Sequence, residues 1–181
     1  MKEIVFITGG CRSGKSKFAL AFADRHFERK VFMATCCVQD EEMRQRIKEH
    51  QKARGSDWQT VEVSTALSEA VASHSRHADV ILIDCLTLWV SNLLADGASQ
   101  EQILVRTDAL TQAIEEATCS VILVSNEVGT GIVPENALAR RFRDVAGLVN
   151  QKVAACADSV VWMVAGIPVF VKGVPNGREK L

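Results

Sequence analysis

Charge of one sign is what this sequence lacks most: 21 Lys and Arg stand against 22 Asp and Glu, a formal net charge of −1 over 181 residues. Without a basic excess there is no electrostatic footprint for nucleic acid. Long apolar runs are missing too, so no segment reads as a bilayer span. The six cysteines (Cys11, Cys36, Cys37, Cys85, Cys119 and Cys156) show no C-x-x-C spacing and mostly sit in apolar runs. That points to buried, reduced thiols in a cytosolic protein rather than a disulfide framework or a zinc site. Internal repeats, low-complexity tracts and interdomain linkers are absent. The N-terminus reads as a strand feeding a loop, not a cleavable leader. The length suits one domain with a sizeable core, expected over 1–173, followed by a loose polar tail over 174–181.

What is present is concentrated near the start. Ile4-Val5-Phe6-Ile7-Thr8 runs directly into Gly9-Gly10-Cys11-Arg12-Ser13-Gly14-Lys15-Ser16. The pattern is G-x-x-x-x-G-K-[ST], the phosphate-binding loop, here with a strand before it and a helix from Ser16 to about Arg25 after it. Glycines let backbone N–H groups converge on one anion, and the helix N-terminus adds its positive dipole end. Lys15 is expected to reach the terminal phosphates and the Ser16 hydroxyl to ligate Mg²⁺. The chain therefore binds a nucleoside triphosphate.

Further apolar runs fall at 30–35, 59–63, 79–84, 119–125 and 159–165, with a hairpin return at 167–172. Helical periodicity covers 86–95, with Leu86, Val90 and Leu94 on one face. Residues 99–117 open with the capping-box pair Ser99 and Gln102. Residues 134–157 open with Pro134 and align Leu138, Phe142, Val145, Val149 and Val153. Continuous apolar strands alternating with helices predict an α/β fold with a mostly parallel sheet covered on both faces.

Three further elements carry chemistry. Val80-Ile81-Leu82-Ile83-Asp84 fits a Walker B strand, which brings Asp84 to the C-terminal sheet edge, where it would hold Mg²⁺ through water. Residues 40–54 read as a helix on which Met43, Ile47, His50 and Arg54 share one stripe. On that pattern His50 fits either a core histidine or a nucleophile or base aimed at the nucleotide, with Arg46 and Arg54 nearby to keep it neutral. His74 and His77 lie in a polar stretch, and His26 reads as a solvated cap of the first helix. Finally, Ser125-Asn126-Glu127-Val128-Gly129, continuing through Gly131-Ile132-Val133-Pro134-Glu135-Asn136, closes one strand and opens a helix. There Asn126 and Glu127 are placed to orient an incoming hydroxyl, although turn chemistry explains the same residues.

Together these segments resemble the bifunctional adenosylcobinamide kinase / adenosylcobinamide-phosphate guanylyltransferase family of cobalamin biosynthesis, along nearly the whole chain. The resemblance is carried by Thr8 through Ser16, Ala34-Thr35, Asp40-Glu41-Glu42-Met43 with Arg46-Ile47 and His50, and Trp58. Asn126 through Asn136, then Arg140, Phe142-Arg143-Asp144, Gly147 and Asn150-Gln151, carry it further. It implies a three-layer RecA-like P-loop fold with a C-terminal hairpin strand, and a homo-oligomer. It implies that ATP or GTP phosphorylates adenosylcobinamide. GMP is then carried on His50 to adenosylcobinamide phosphate, giving adenosyl-GDP-cobinamide. The nucleotide contacts it implies are Gly9, Gly10, Cys11, Arg12, Ser13, Gly14, Lys15, Ser16, Ala34, Thr35, Cys36, Gln51, Lys52, Ala53, Arg54, Glu62 and Asp84. Cys36 and Cys37 stand where relatives carry small polar residues, and Glu49 where some carry a second histidine. Two other classes use the same loop: a small-molecule kinase without guanylyl transfer, and a nucleotide switch that only changes partner affinity.

Overall fold

Val80, Ile81, Leu82 and Ile83 are all fully buried, odd and even positions alike, so their strand has a helical layer on each side. The computed structural model describes residues 2–36, 55 and 57–175. Seven strands form one sheet: β1 (Ile4–Gly9), β2 (Lys30–Ala34), β3 (Trp58–Glu62), β4 (Val80–Asp84), β5 (Ser120–Asn126), β6 (Ser159–Val164) and β7 (Ile167–Lys172). Their order is β3-β2-β4-β5-β1-β6-β7. All neighbours pair parallel except β7, which returns antiparallel to β6.

Helix α1 (Lys15–His26) packs Ala19, Leu20 and Ala23 on one sheet face, over Val5, Ile7, Leu82 and Val124. The other face is covered by α2 (Leu67–His74), α3 (Leu86–Ala95), α4 (Gln100–Glu116) and α5 (Ala137–Cys156). The capping box at α4 is complete: Ser99 Oγ accepts from Gln102 N–H, and Gln102 Oε1 accepts from Ser99 N–H. Helix α2 was not anticipated from the sequence. It buries only Leu67 and Val71, one turn apart.

Some expectations need correcting. Helix α5 begins at Ala137 rather than at Pro134, because the Asn136 side chain accepts from Ala139 N–H and sets the cap there. Leu138 consequently lies outside the buried stripe and is 62% exposed. The thiols are not uniformly buried: Cys119 is, Cys85 and Cys156 are half-buried, and Cys11 is exposed on the phosphate loop. His26 does end α1 in its basic last turn, but it is half-buried against Phe22, ring centroids 4.8 Å apart, rather than solvated. The predicted helix over 40–54 lies outside the described residues, and His50, Gln51, Lys52, Ala53 and Arg54 with it.

Candidate functional site

The register of the strands decides what meets at the C-terminal sheet edge. Glu62, Ala34 and Asp84 stand side by side at the ends of β3, β2 and β4. Asn126, Gly9 and Met163 do so at the ends of β5, β1 and β6. The phosphate loop leaves β1 at this edge. Gly9 has φ 149°, and a side chain there would place Cβ 2.4 Å from the Met163 carbonyl oxygen. Gly14 has φ 95°, and its Cβ would sit 3.3 Å from Gly166 Cα in the β6–β7 turn. That turn also ties the loop down, with Gly166 N–H donating to the Ser13 carbonyl at 3.0 Å.

Among the described residues no side chain caps α1, whose N-cap is Gly14. Its first amides are therefore available to an anion, the arrangement helix N-termini use to hold phosphate. Lys15 is 7% exposed, and its Nζ donates to the Gly10 carbonyl at 2.5 Å and to Ser13 Oγ at 3.4 Å. Burial lowers the Lys15 pKa, against the opposing pull of Cys85, Asp84 and Cys11. An incoming phosphate would replace the loop carbonyl as its partner and favour the charged form.

The loop opens onto a cavity of about 620 Å³, within the size range of small-ligand sites. Arg12, Ser13, Gly14, Lys15 and Ser16 form one wall; Ala34, Cys36 and Asp84 contribute from neighbouring strand ends. Gly9, Gly10, Cys11, Thr35 and Glu62 do not line it. Gly9 and Gly10 shape the loop, and Glu62 is exposed at the rim of β3. The Thr35 hydroxyl is engaged with the backbone of Cys85, the residue after Asp84. Cys85 also lines the cavity, and burial, then the Asp84 charge, pushes its thiol pKa up to about 11. It is a packed thiol, not a nucleophile at neutral pH.

The oxygen donors suit Mg²⁺. Ser16 and Asp84 line the same cavity, and no group of three His, Cys, Asp or Glu side chains among the described residues could hold a metal alone. Mg²⁺ is ordinarily bound by one or two protein oxygens, with phosphate and water completing the shell.

Further lining comes from Thr87, Leu88 and Ser91 of α3, which no motif in the sequence marks, and from Phe142 of α5, Asn126 and Val128, which the motifs do include. Asn92, next to Ser91, donates to the carbonyls of Thr35 (2.8 Å) and Ser64 (3.0 Å), clamping the segments after β2 and β3.

The 127–136 segment is firmly braced. Glu127 N–H donates to the Gly9 carbonyl at 2.9 Å, and Asn150 Nδ2 to the Asn126 carbonyl at 3.2 Å. Arg143 bonds the Gly129 carbonyl, and Arg140 the carbonyls of Pro134 (3.0 Å) and Glu135 (2.5 Å). Asn126 thus reaches the cavity, whereas the Glu127 carboxylate turns back to accept from Gly129 N–H at 2.6 Å. Trp58 lies at the opposite sheet edge, its Nε1–H bonded to Asp24 and its ring under Lys30, so its part is packing. His74 Nδ1 is bonded to its own helix at the Ala70 carbonyl, 2.9 Å away.

Comparison with known proteins places this geometry. The family described as cobinamide kinase / cobinamide phosphate guanyltransferase matches residues 5–171. The bifunctional adenosylcobalamin biosynthesis protein CobU of Escherichia coli K12 is 39% identical, covering 93% of this chain and 99% of its own length. CobU of Salmonella typhimurium LT2 is equally similar, and CobP of Pseudomonas aeruginosa is 39% identical over 93% of this chain and 97% of its own. Among solved structures, a Pyrococcus horikoshii OT3 protein aligns with TM-score 0.59 at 9% identity, over 96% of this chain and 88% of that one. An ATPase domain aligns with TM-score 0.50 at 14% identity, over 89% and 69%. These two are likenesses of fold, and they agree with the P-loop ATPase-type α/β architecture.

Proposed function

This chain belongs to the cobinamide kinase / cobinamide phosphate guanyltransferase family, and on that premise we propose that it phosphorylates adenosylcobinamide and then guanylylates the product. ATP or GTP serves the first step, and GTP the second. The observation that carries the reading is the phosphate loop with Lys15 and Asp84 on one cavity at the C-terminal sheet edge, in a chain matched along residues 5–171.

In the kinase step the aminopropanol hydroxyl attacks the γ-phosphorus and a nucleoside diphosphate leaves. The loop amides and Lys15 stabilise the charge on the transferred group by position and electrostatics. Ser16 and Asp84, the latter through water, would hold a Mg²⁺ ion, which when bound neutralises phosphate charge. In the second step the neutral imidazole of His50 forms a P–N bond to the α-phosphorus of GTP and releases pyrophosphate. The phosphate of adenosylcobinamide phosphate then attacks the same phosphorus, freeing His50 and giving adenosyl-GDP-cobinamide. Nucleotide contacts are assigned to Gly9–Ser16, Ala34–Cys36, Gln51–Arg54, Glu62 and Asp84, on the family motif and, for the cavity-lining members, on position.

We read the chain as one catalytic domain over 1–173 with a tail over 174–181, working in the cytoplasm as a homo-oligomer. No helix among the described residues is long and apolar enough to cross a membrane. The outer sheet end supports self-association: Trp162, Val164, Ile167, Val169 and Val171 are all exposed on β6 and β7.

The test is incubation with α-³²P-labelled GTP. Acid-labile, alkali-stable label on the protein, discharged by adenosylcobinamide phosphate, is the expected result. Corrinoid phosphorylation without any protein-bound label would overturn the guanylyltransferase half.

A further inference from the structure

We propose that the corrinoid acceptor docks on the apolar tip of the 127–136 loop and the first turn of α5, with Ile132, Val133 and Leu138 contacting the macrocycle; this rests on the function proposed above. Ile132 is 97% exposed, and Val133 and Leu138 are each 62% exposed. A loop without a ligand has no reason to hold branched apolar side chains in water, and this one is held there. Its backbone is held on both sides of the tip, by Arg143 at Gly129 and Arg140 at Pro134, with Asn150 at its root and the Asn136 cap at its end.

Continuity with the cavity selects the occupant. Val128, at the root of the loop, and Phe142 both line the cavity that Lys15 also lines. Leu138 stands one helical turn before Phe142, hence on the same face of α5. Val128 and Phe142 therefore join the cavity lining, along the loop and along α5, to the exposed apolar side chains just outside it. A cavity of about 620 Å³ is largely filled by a nucleoside triphosphate, leaving room for the acceptor's reacting arm but not for its ring. The ring must rest outside, on whatever adjoins the lining. Cobinamide presents methyl groups on a flat macrocycle fringed with amides. Those exposed side chains offer apolar contact, and Asn126 and Ser91 in the lining offer hydrogen-bonding groups. Among the described residues the β6–β7 face is also exposed and apolar. Neither its residues nor Ile132, Val133 and Leu138 line the cavity themselves, but the tip is joined to the lining through Val128 and Phe142, whereas no residue of β6 or β7 belongs to it.

The experiment compares wild type with the double variant Ile132→Ser/Val133→Ser and, separately, Leu138→Ser. All three side chains are exposed, so folding does not depend on them. KM for adenosylcobinamide in the kinase step, guanylylation of the protein by GTP alone, and sedimentation are measured on each. The expected result is a rise in corrinoid KM of about tenfold to a hundredfold for the double variant, a smaller rise for Leu138→Ser, and unchanged labelling by GTP. An unchanged corrinoid KM in both variants would overturn the docking surface. So would a changed sedimentation coefficient with KM intact, which would make the tip a contact between copies. If the wild type neither phosphorylates adenosylcobinamide nor takes label, the functional reading itself fails. An active wild type with insensitive variants removes the docking surface alone.

Discussion

The Thr35 hydroxyl and the Cys85 backbone hold each other twice: Oγ1 donates to the Cys85 carbonyl and accepts from Cys85 N–H, both at 2.8 Å. Thr35 is completely buried, and Cys85 follows Asp84 directly. A side chain from the end of β2 thereby fixes the direction in which the β4 carboxylate leaves the sheet.

Thr35→Val keeps the shape and loses both bonds. It is expected to cost about 1–3 kcal/mol through buried groups left unmade, and to raise the Mg²⁺ concentration giving half-maximal kinase rate. Thr35→Ser should keep both properties near wild type. Thermal melts and Mg²⁺ titrations that fail to separate Val from Ser would show that Thr35 is only a filler.

Lys15 gives a prediction with a pH sign. Its pKa is lowered below 10.5, chiefly by burial. A lysine depressed in the folded state costs stability below its folded pKa, and that cost fades as pH rises through the folded pKa toward 10.5. At pH 7, therefore, Lys15→Met should melt no lower than wild type without nucleotide, while triphosphate affinity falls about a hundredfold or more. Wild-type affinity should weaken in alkaline buffer before pH 10.5, with proton uptake on binding by calorimetry, and Lys15→Arg should lack that weakening. A lower melting point for Lys15→Met would mean that the bond to the Gly10 carbonyl outweighs burial.

Gly9→Ala forces a methyl group against the Met163 carbonyl at a φ of 149°. A loss of about 3 kcal/mol is expected from strain and overpacking together, along with weakened nucleotide binding. Gly10→Ala is the control, since nothing lies within 4 Å of its Cβ. Chemical denaturation of the two variants checks the contrast, and equal midpoints would count against it.

Replacing His50 with Asn should end protein-bound GMP and pyrophosphate release while kinase turnover largely remains, because phosphoryl transfer to an alcohol uses the phosphate loop and not this imidazole. A core histidine behaves otherwise: both activities fall together with a lowered melting temperature. Parallel assays on one preparation separate the two.

Most of the architecture was legible because buried parallel strands write themselves as unbroken apolar runs; β4 and β5 were bounded to within a residue. The phosphate loop and Asp84 were legible for a related reason, since loop and carboxylate each follow such a run directly. Helix α2 was not, with two apolar anchors in eight residues. The start of α5 was misplaced because Pro134 is as suited to the loop before a helix as to its first turn. Asn92 and Arg143 act on backbone carbonyls 57 and 14 residues away, and nothing in a side chain's identity announces such a partner, even where, as for Arg143, a motif marks the residue. His50 rests on its motif.

The strand that carries the phosphate loop is made long before either of its neighbours. β1 pairs Ile4 with Val121 of β5 and Val5 with Ser159 of β6. On the ribosome one edge of β1 therefore waits for β5 and the other for β6. Closing such distant pairs is slow, so a nascent or truncated chain ending before β6 would expose an apolar strand edge and have no braced nucleotide site. Competence to bind a triphosphate thus arrives only once β6 has been made, and nucleotide added during refolding should act late, by trapping the finished sheet rather than by seeding it.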